Sequence, residues 1–305
     1  MNDDNIEFYN IQAPSFKSLL FKRAFQWSGL KKIMERFSAP GPLLYLINAP
    51  YPTRSLKTVA NVQRHTQNGK NVFTLSSKVK TSAIVVLYLH GGAFTINFTR
   101  PHWRFIRDLI HRNHCTVVAP DFPLLPFDYQ TRLEMVYHVY QSLLLKTESK
   151  NIIFMGDSSG GNMALALAQL AHERKINAPG QVIMLSPWLD VSMSNPELKT
   201  NLPYDPMLSY PAAIKVGKVH AGIAGPTFYQ VSPLYGQLKD IGRISIFTGT
   251  HDILYPDAKK LKALANAQQV PFNYFEYRSM MHTWMLFDMP ESQMVKEQIA
   301  SLIAS

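Results

Sequence analysis

Ser158 lies between glycines in the run Gly156-Asp157-Ser158-Ser159-Gly160-Gly161-Asn162, directly after the apolar stretch 151–155. A strand that ends in G-x-S-x-G and passes at once into a helix holds its serine on a sharp turn, with the hydroxyl clear of the sheet. A serine hydroxyl is a poor nucleophile at neutral pH and needs a base to take its proton. Three further groups follow other apolar stretches. His90-Gly91-Gly92-Ala93 follows 83–89, Asp252 follows 244–248, and His282 follows 272–277. An imidazole titrates near the working pH, so His282 is the candidate base. Asp252 is the candidate acid that holds the ring in one tautomer. The backbone N–H groups of Gly91, Gly92 and Ser159 are the candidate donors to an oxyanion.

Other groups have plainer readings. His251 shares the loop of Asp252 and is expected to face away from the site or cover it. His90 braces the glycine loop. Asp257, the alternative acid, is expected to cap the helix that follows, and Asp190 is expected to brace its own loop rather than serve as the acid. Cys115 is the only cysteine, so no intrachain disulfide framework exists, and its apolar surroundings read as a buried structural thiol. No H-E-x-x-H or clustered ligand pattern points to a metal.

Positioning these groups takes an alternating chain. Expected strands are the hairpin 59–66 and 71–77 around Asn68-Gly69, then 83–89, 116–120, 151–155, 182–186, 244–248 and 272–277. Helical patterns at 101–112, 132–146, 159–173, 257–268 and 291–303 separate the later strands. That alternation predicts an α/β fold, a mostly parallel eight-stranded sheet with helices on both faces. Reactive groups on such a sheet gather at the carboxyl ends of the strands. The order Ser, Asp, His is that of an α/β-hydrolase triad.

Two segments fall outside the alternation. Residues 1–55 are expected to form an N-terminal helical cap segment ahead of a catalytic domain at 56–305. Its helix, 15–37, carries the stripe Phe16, Leu19, Leu20, Arg23, Ala24, Trp27, Leu30, Ile33, Met34 and Phe37, ringed by basic residues. Pro40, Pro42, Pro50 and Pro52 then break the pattern. Residues 191–230 contain no clear strand and are expected to form a mostly helical cap insertion.

The net charge of +10 is uneven: residues 1–80 hold 12 Lys+Arg against 4 Asp+Glu. No nucleic-acid motif accompanies them, so a solvated basic helix face is expected rather than nucleic-acid binding. The stripe is expected to lie over the mouth of the site; a lipid surface is its other reading. No apolar run is long enough to span a bilayer and no signal-peptide pattern is present, so cytoplasmic residence is the expectation.

The chain resembles the hormone-sensitive-lipase-like family of α/β-hydrolase esterases from about residue 56 onward. The blocks that carry the resemblance are His90-Gly91-Gly92-Ala93, the Ser158 run, Ser186-Pro187-Trp188-Leu189-Asp190, Asp205-Pro206-Met207-Leu208-Ser209, Ser232-Pro233-Leu234-Tyr235-Gly236 and Gly249-Thr250-His251-Asp252-Ile253-Leu254. They appear in family order. The resemblance implies a triad of Ser158, Asp252 and His282 and an oxyanion hole at Gly91 and Gly92. It implies hydrolysis of short- to medium-chain carboxylic esters through an acyl-enzyme, without a cofactor. A small-molecule ester is the expected partner, and a homodimer through the last strand and helix is a family habit. Pocket candidates, all near the active loops, are Phe94, Trp188, Tyr204, Met281 and Trp284. Alternatives are an amidase or lactonase with the same triad, or a ligand-binding protein without turnover.

The match departs from the family at two places. Ala93 replaces a third glycine. The block Phe122-Pro123-Leu124-Leu125-Pro126-Phe127 lacks the arginine and glutamate that the family uses to brace its loops. That bracing is expected to be supplied in another way, or the region to be more mobile.

Overall fold

The computed structural model describes residues 5–36 and 47–304. Phe37, Pro40 and Pro42 of the expected cap and loop lie outside the described residues.

The expected hairpin is present. Strands β2 (Ala60–Gln67) and β3 (Lys70–Ser77) pair antiparallel. Asn68 and Gly69 join them with φ of 49° and 73°, the two positive values that a tight hairpin turn requires. The remaining strands are β4 (Val85–Leu89), β5 (Thr116–Pro120), β6 (Ile152–Asp157), β7 (Gln181–Leu185), β8 (Arg243–Gly249) and β9 (Phe272–Tyr277). As the alternation predicts, β4 to β9 run parallel.

The sheet has nine strands rather than eight. The additional strand, β1 (Glu7–Asn10), pairs parallel with β9, so that the order is β1-β9-β8-β7-β6-β4-β5-β3-β2. Four residues, EFYN, with a mixed exposed and half-buried pattern, carry little strand signal of their own. Asn273 supplies the nearby anchor, since its side-chain oxygen accepts the N–H of Ile6 at 2.9 Å. The N-terminal segment therefore contributes a strand to the main sheet as well as helices. β1 also covers the β9 edge, along which a second copy could otherwise add its own strand.

The middle strands read as continuous apolar runs because both their faces are buried. Along β4, Val86 and Tyr88 point into one core, and Leu87 and Leu89 into the other. Helices α3 (Arg100–Asn113) and α9 (Pro290–Ala304) cover the first face; α4 (Tyr129–Leu144) and α5 (Ser159–Glu173) cover the second. Helix α8 (Tyr255–Ala267) packs on β8 and β9.

Near the carboxyl ends lie α1 (Phe16–Trp27), α2 (Leu30–Arg36) and, within 191–230, the short α6 (Leu198–Asn201) and α7 (Tyr210–Ala221). Helix α1 docks through Phe21 and Phe25, which meet Phe287 at 5.8 and 5.2 Å between ring centres. Lys31 ties α2 to the 191–230 segment by donating to the carbonyls of Leu202 and Asp205 at 3.1 and 3.2 Å. No helix among the described residues is long and apolar enough to cross a membrane.

Candidate active site

Ser158 follows β6 with φ 51° and ψ −119°, a conformation that costs a non-glycine residue on the order of 1–3 kcal/mol. The surroundings hold it there. A Cβ on Gly160 would stand 1.9 Å from the carbonyl oxygen of Leu89, and one on Gly156 would stand 2.4 Å from the Gly160 backbone. Only glycines let helix α5 begin this close to β4 and β6.

His282 reaches the serine from the loop after β9. Its Nε2 is 2.9 Å from Ser158 Oγ, and its Nδ1 is 2.8 Å from Asp252 Oδ2. Asp252 is fully buried, and its other oxygen accepts the N–H of Leu254 at 2.8 Å. Burial works to lower the His282 pKa, but the Asp252 charge and hydrogen bond outweigh it and hold the ring above its ordinary value. Three groups drawn from three loops thus form one hydrogen-bonded chain.

The glycine loop differs from expectation at one position. The Gly91 N–H is already donated to Asp157 Oδ1 at 3.1 Å, so it is not free to meet an oxyanion. A Cβ at Gly91 would collide with that same carboxylate. The next two N–H groups, of Gly92 and Ala93, have no acceptor among the described residues. Both residues border the cavity described below, and their positive φ values of 118° and 51° shape the turn. The Ser159 N–H opens helix α5, where the first turn leaves its donors unpaired.

Asp157 was not singled out from the sequence, although it occupies the variable position of the G-x-S-x-G run. It is buried and gathers Tyr88 Oη at 2.7 Å, His102 Nε2 at 3.2 Å and the Gly91 N–H. Burial alone would raise its pKa, yet the His102 charge and these hydrogen bonds win and hold it below the usual carboxylate range. Asp157 thereby fixes the start of the glycine loop against the elbow.

Asp205, within a quoted sequence block but given no role there, lies beside Asp252. Its carboxylate accepts the N–H groups of Met207, Leu208 and Ile253 at 2.7, 2.9 and 2.9 Å. Burial and the neighbouring Asp252 push it up to about 6. Asn201 braces the same loop, donating to the carbonyls of Thr250 and Asp252 at 3.1 and 2.8 Å.

The residues with plainer readings sit as follows. His251 Nδ1 accepts from Lys22 Nζ at 2.5 Å, while Tyr204 stacks on its ring at 5.0 Å. Burial and then Lys22 lower His251 to about 4. His90 Nδ1 lies 2.7 Å from the Gly91 carbonyl and the ring stacks on Phe122, with burial lowering it to about 3. Asp190 holds its loop through Ser192 N–H and Tyr235 Oη, both at 2.8 Å. Asp257 lies in the first turn of α8 rather than at its cap, because the helix begins two residues earlier; it accepts from Asn195 at 2.9 Å. Burial raises the Cys115 thiol to about 12, which leaves it unreactive.

A cavity of about 780 Å³ opens on Ser158 and His282. Its walls are largely apolar: Phe25, Leu30 and Ile33 from the N-terminal helices, Met207, Leu208 and Val216 from the 191–230 segment, and Leu254, Leu286 and Phe287 from the loops. Of the five expected pocket residues, Trp188 lines it. Four do not, each because it is committed elsewhere. Phe94 stacks on His220 at 3.9 Å, and Tyr204 lies on His251. Met281 borders a small crevice under α1, and Trp284 is buried against Tyr277 at 5.3 Å.

The missing loop brace is Arg132, from helix α4. Its side chain is buried and donates to the carbonyls of Pro123 and Phe127 at 2.8 and 3.0 Å, and to His220 Nδ1 at 3.0 Å. The guanidinium also lies 4.9 Å from the centre of the Phe94 ring. The Leu125 N–H in turn donates to the Phe94 carbonyl at 2.7 Å. One side chain therefore joins the 122–127 loop, the glycine loop and helix α7.

The sequence profile of the α/β-hydrolase fold family matches residues 86–286. The chain belongs to the α/β-hydrolase family. An esterase from Acinetobacter venetianus is 30% identical over 235 residues, covering 75% of this chain and 77% of that protein. Among solved structures, an esterase/lipase from an uncultured bacterium superposes with a TM-score of 0.81 at 21% identity, over 95% of this chain and 98% of that one. An esterase described as belonging to the bacterial hormone-sensitive lipase family gives 0.81 at 21% identity, over 96% and 98%. The α/β-hydrolase assignment and the esterase relatives agree with the resemblance carried by the motif blocks.

Proposed function

We propose that the protein is a serine carboxylesterase acting on short- to medium-chain carboxylic esters. The observation that carries this reading is the chain Ser158–His282–Asp252, at 2.9 and 2.8 Å, facing a largely apolar cavity. In the first half-reaction neutral His282 takes the Oγ proton as Ser158 Oγ attacks the ester carbonyl carbon. The carbonyl oxygen becomes an oxyanion and meets the N–H groups of Gly92, Ala93 and Ser159. The C–O bond to the alcohol breaks, and the alcohol leaves with the proton from His282 Nε2. Water, deprotonated by the same nitrogen, then attacks the acyl-serine, and the carboxylic acid departs as Ser158 regains its proton. Ala93 contributes through its backbone, so a methyl there is compatible with the donor role.

The cavity has room for an acyl chain of several carbons, within the usual range for small-molecule sites. The test is hydrolysis of p-nitrophenyl esters from acetate to decanoate by the protein and by Ser158→Ala. Turnover with the shorter chains, lost by about 10⁴-fold or more in the variant, is the expected result. Turnover of amides or lactones in place of esters would redirect the substrate class. A folded protein that hydrolyses none of them, but retains a ligand, would mark a binding protein.

A further inference from the structure

Helix α1 has two apolar faces. Ser18, Phe21 and Phe25 turn to the body. Phe16, Leu20 and Trp27 lie on the opposite side at the spacing i, i+4, i+11, and are 82, 57 and 83% exposed. Arg23 falls in the same outward stripe at i+7. Of the stripe expected to cover the site, Leu30 and Ile33 line the cavity, whereas Phe16, Leu20 and Trp27 do not; Phe25, outside that stripe, lines it instead.

We infer that this outward face docks the protein on an anionic lipid surface. Exposed aromatic and aliphatic side chains flanked by cations are what such an interface takes up, with tryptophan favoured at headgroup level. Arg23 and Lys32 are exposed and form no ion pair among the described residues, unlike Lys17, which pairs with Asp288 at 2.7 Å. The helical segment 15–36 holds 6 Lys+Arg against 1 Asp+Glu, so the charge is complementary to acidic headgroups. The same charge opposes a second copy as the occupant, because it would bring two basic faces together. Docking also has a geometric consequence. Phe25 and Ser28, on either side of Trp27, border the cavity, so a helix seated on lipid sets the cavity mouth beside the acyl phase.

The test is flotation of the full chain with vesicles of equal phosphatidylglycerol and phosphatidylcholine, and with phosphatidylcholine alone. Binding is read without turnover, so failure of the docking and failure of the esterase reading are separate results. The wild type is expected to float with the anionic vesicles, and less as salt rises. Phe16→Ser/Leu20→Ser/Trp27→Ser is expected to cut the bound fraction about tenfold or more. Arg23→Glu/Lys32→Glu is expected to do so on anionic vesicles by a similar factor. Both should keep wild-type turnover of a soluble ester, and the charge variant serves should the apolar one misfold. Absence of flotation by an active wild type overturns the inference, as do variants that float like it. A wild-type dimer that the apolar substitutions convert to monomer also overturns it, since a second copy then covers the face.

Discussion

Asp252→Asn separates the assigned acid from its neighbour. The substitution keeps the volume at a fully buried site and keeps an oxygen for the Leu254 N–H. It places an amide NH₂ group 2.8 Å from His282 Nδ1, where a carboxylate oxygen had accepted. Nδ1 must then act as the acceptor, the ring proton moves to Nε2, and Nε2 can no longer take the Ser158 proton. A reversed tautomer of this kind costs about 10⁴ in kcat, or about 5 kcal/mol of transition-state stabilisation. KM should change little, because Asp252 is not on the cavity wall. Asp205 cannot take over, since Met207, Leu208 and Ile253 already occupy its two oxygens. The assay is kcat and KM on p-nitrophenyl acetate for wild type, Asp252→Asn and Asp205→Asn, with melting curves as the control for folding. A loss under tenfold in Asp252→Asn, or a larger loss in Asp205→Asn, would refute the assignment.

Because His282 must be neutral to act as base and Asp252 holds its pKa above 6.5, the acid limb of kcat/KM should lie above pH 6.5. In Asp252→Asn residual activity should show that limb at lower pH. Gly160→Ala would put a methyl 1.9 Å from the Leu89 carbonyl oxygen, against a normal separation of about 3.3 Å. The elbow must move by more than about 1 Å, so kcat should fall about 10²-fold in protein that still folds. Arg132→Met keeps the stem but leaves two carbonyls and His220 Nδ1 without their donor, at about 1–3 kcal/mol for each group. Calorimetry should record a lower melting temperature and kinetics a raised KM. Arg132→Lys should not restore either, because one ammonium cannot span three acceptors.

Local rules placed most of the chemistry. The serine between glycines, the strand before it and the small-residue helix after it are neighbours in sequence, so their geometry follows from their spacing. Strand and helix alternation is likewise local, and it sends Asp252 and His282 to the same edge as Ser158 without any knowledge of contacts. The Asn68-Gly69 turn was legible for the same reason.

What the chain order does not contain is which partner a polar group chooses once several loops meet. β1 exists because β9, 267 residues away, offers an edge and Asn273 an anchor; its four residues have too little pattern to declare themselves. The Gly91 N–H belongs to Asp157, which moves the free donors one residue along. Phe94 and Tyr204 left the expected pocket wall for His220 and His251, and Arg132 replaced an absent loop arginine from a different helix. Periodicity tells which side chains are buried. The contacts that decide a site's walls and braces form between segments far apart in sequence, and only close packing of the whole chain selects among them.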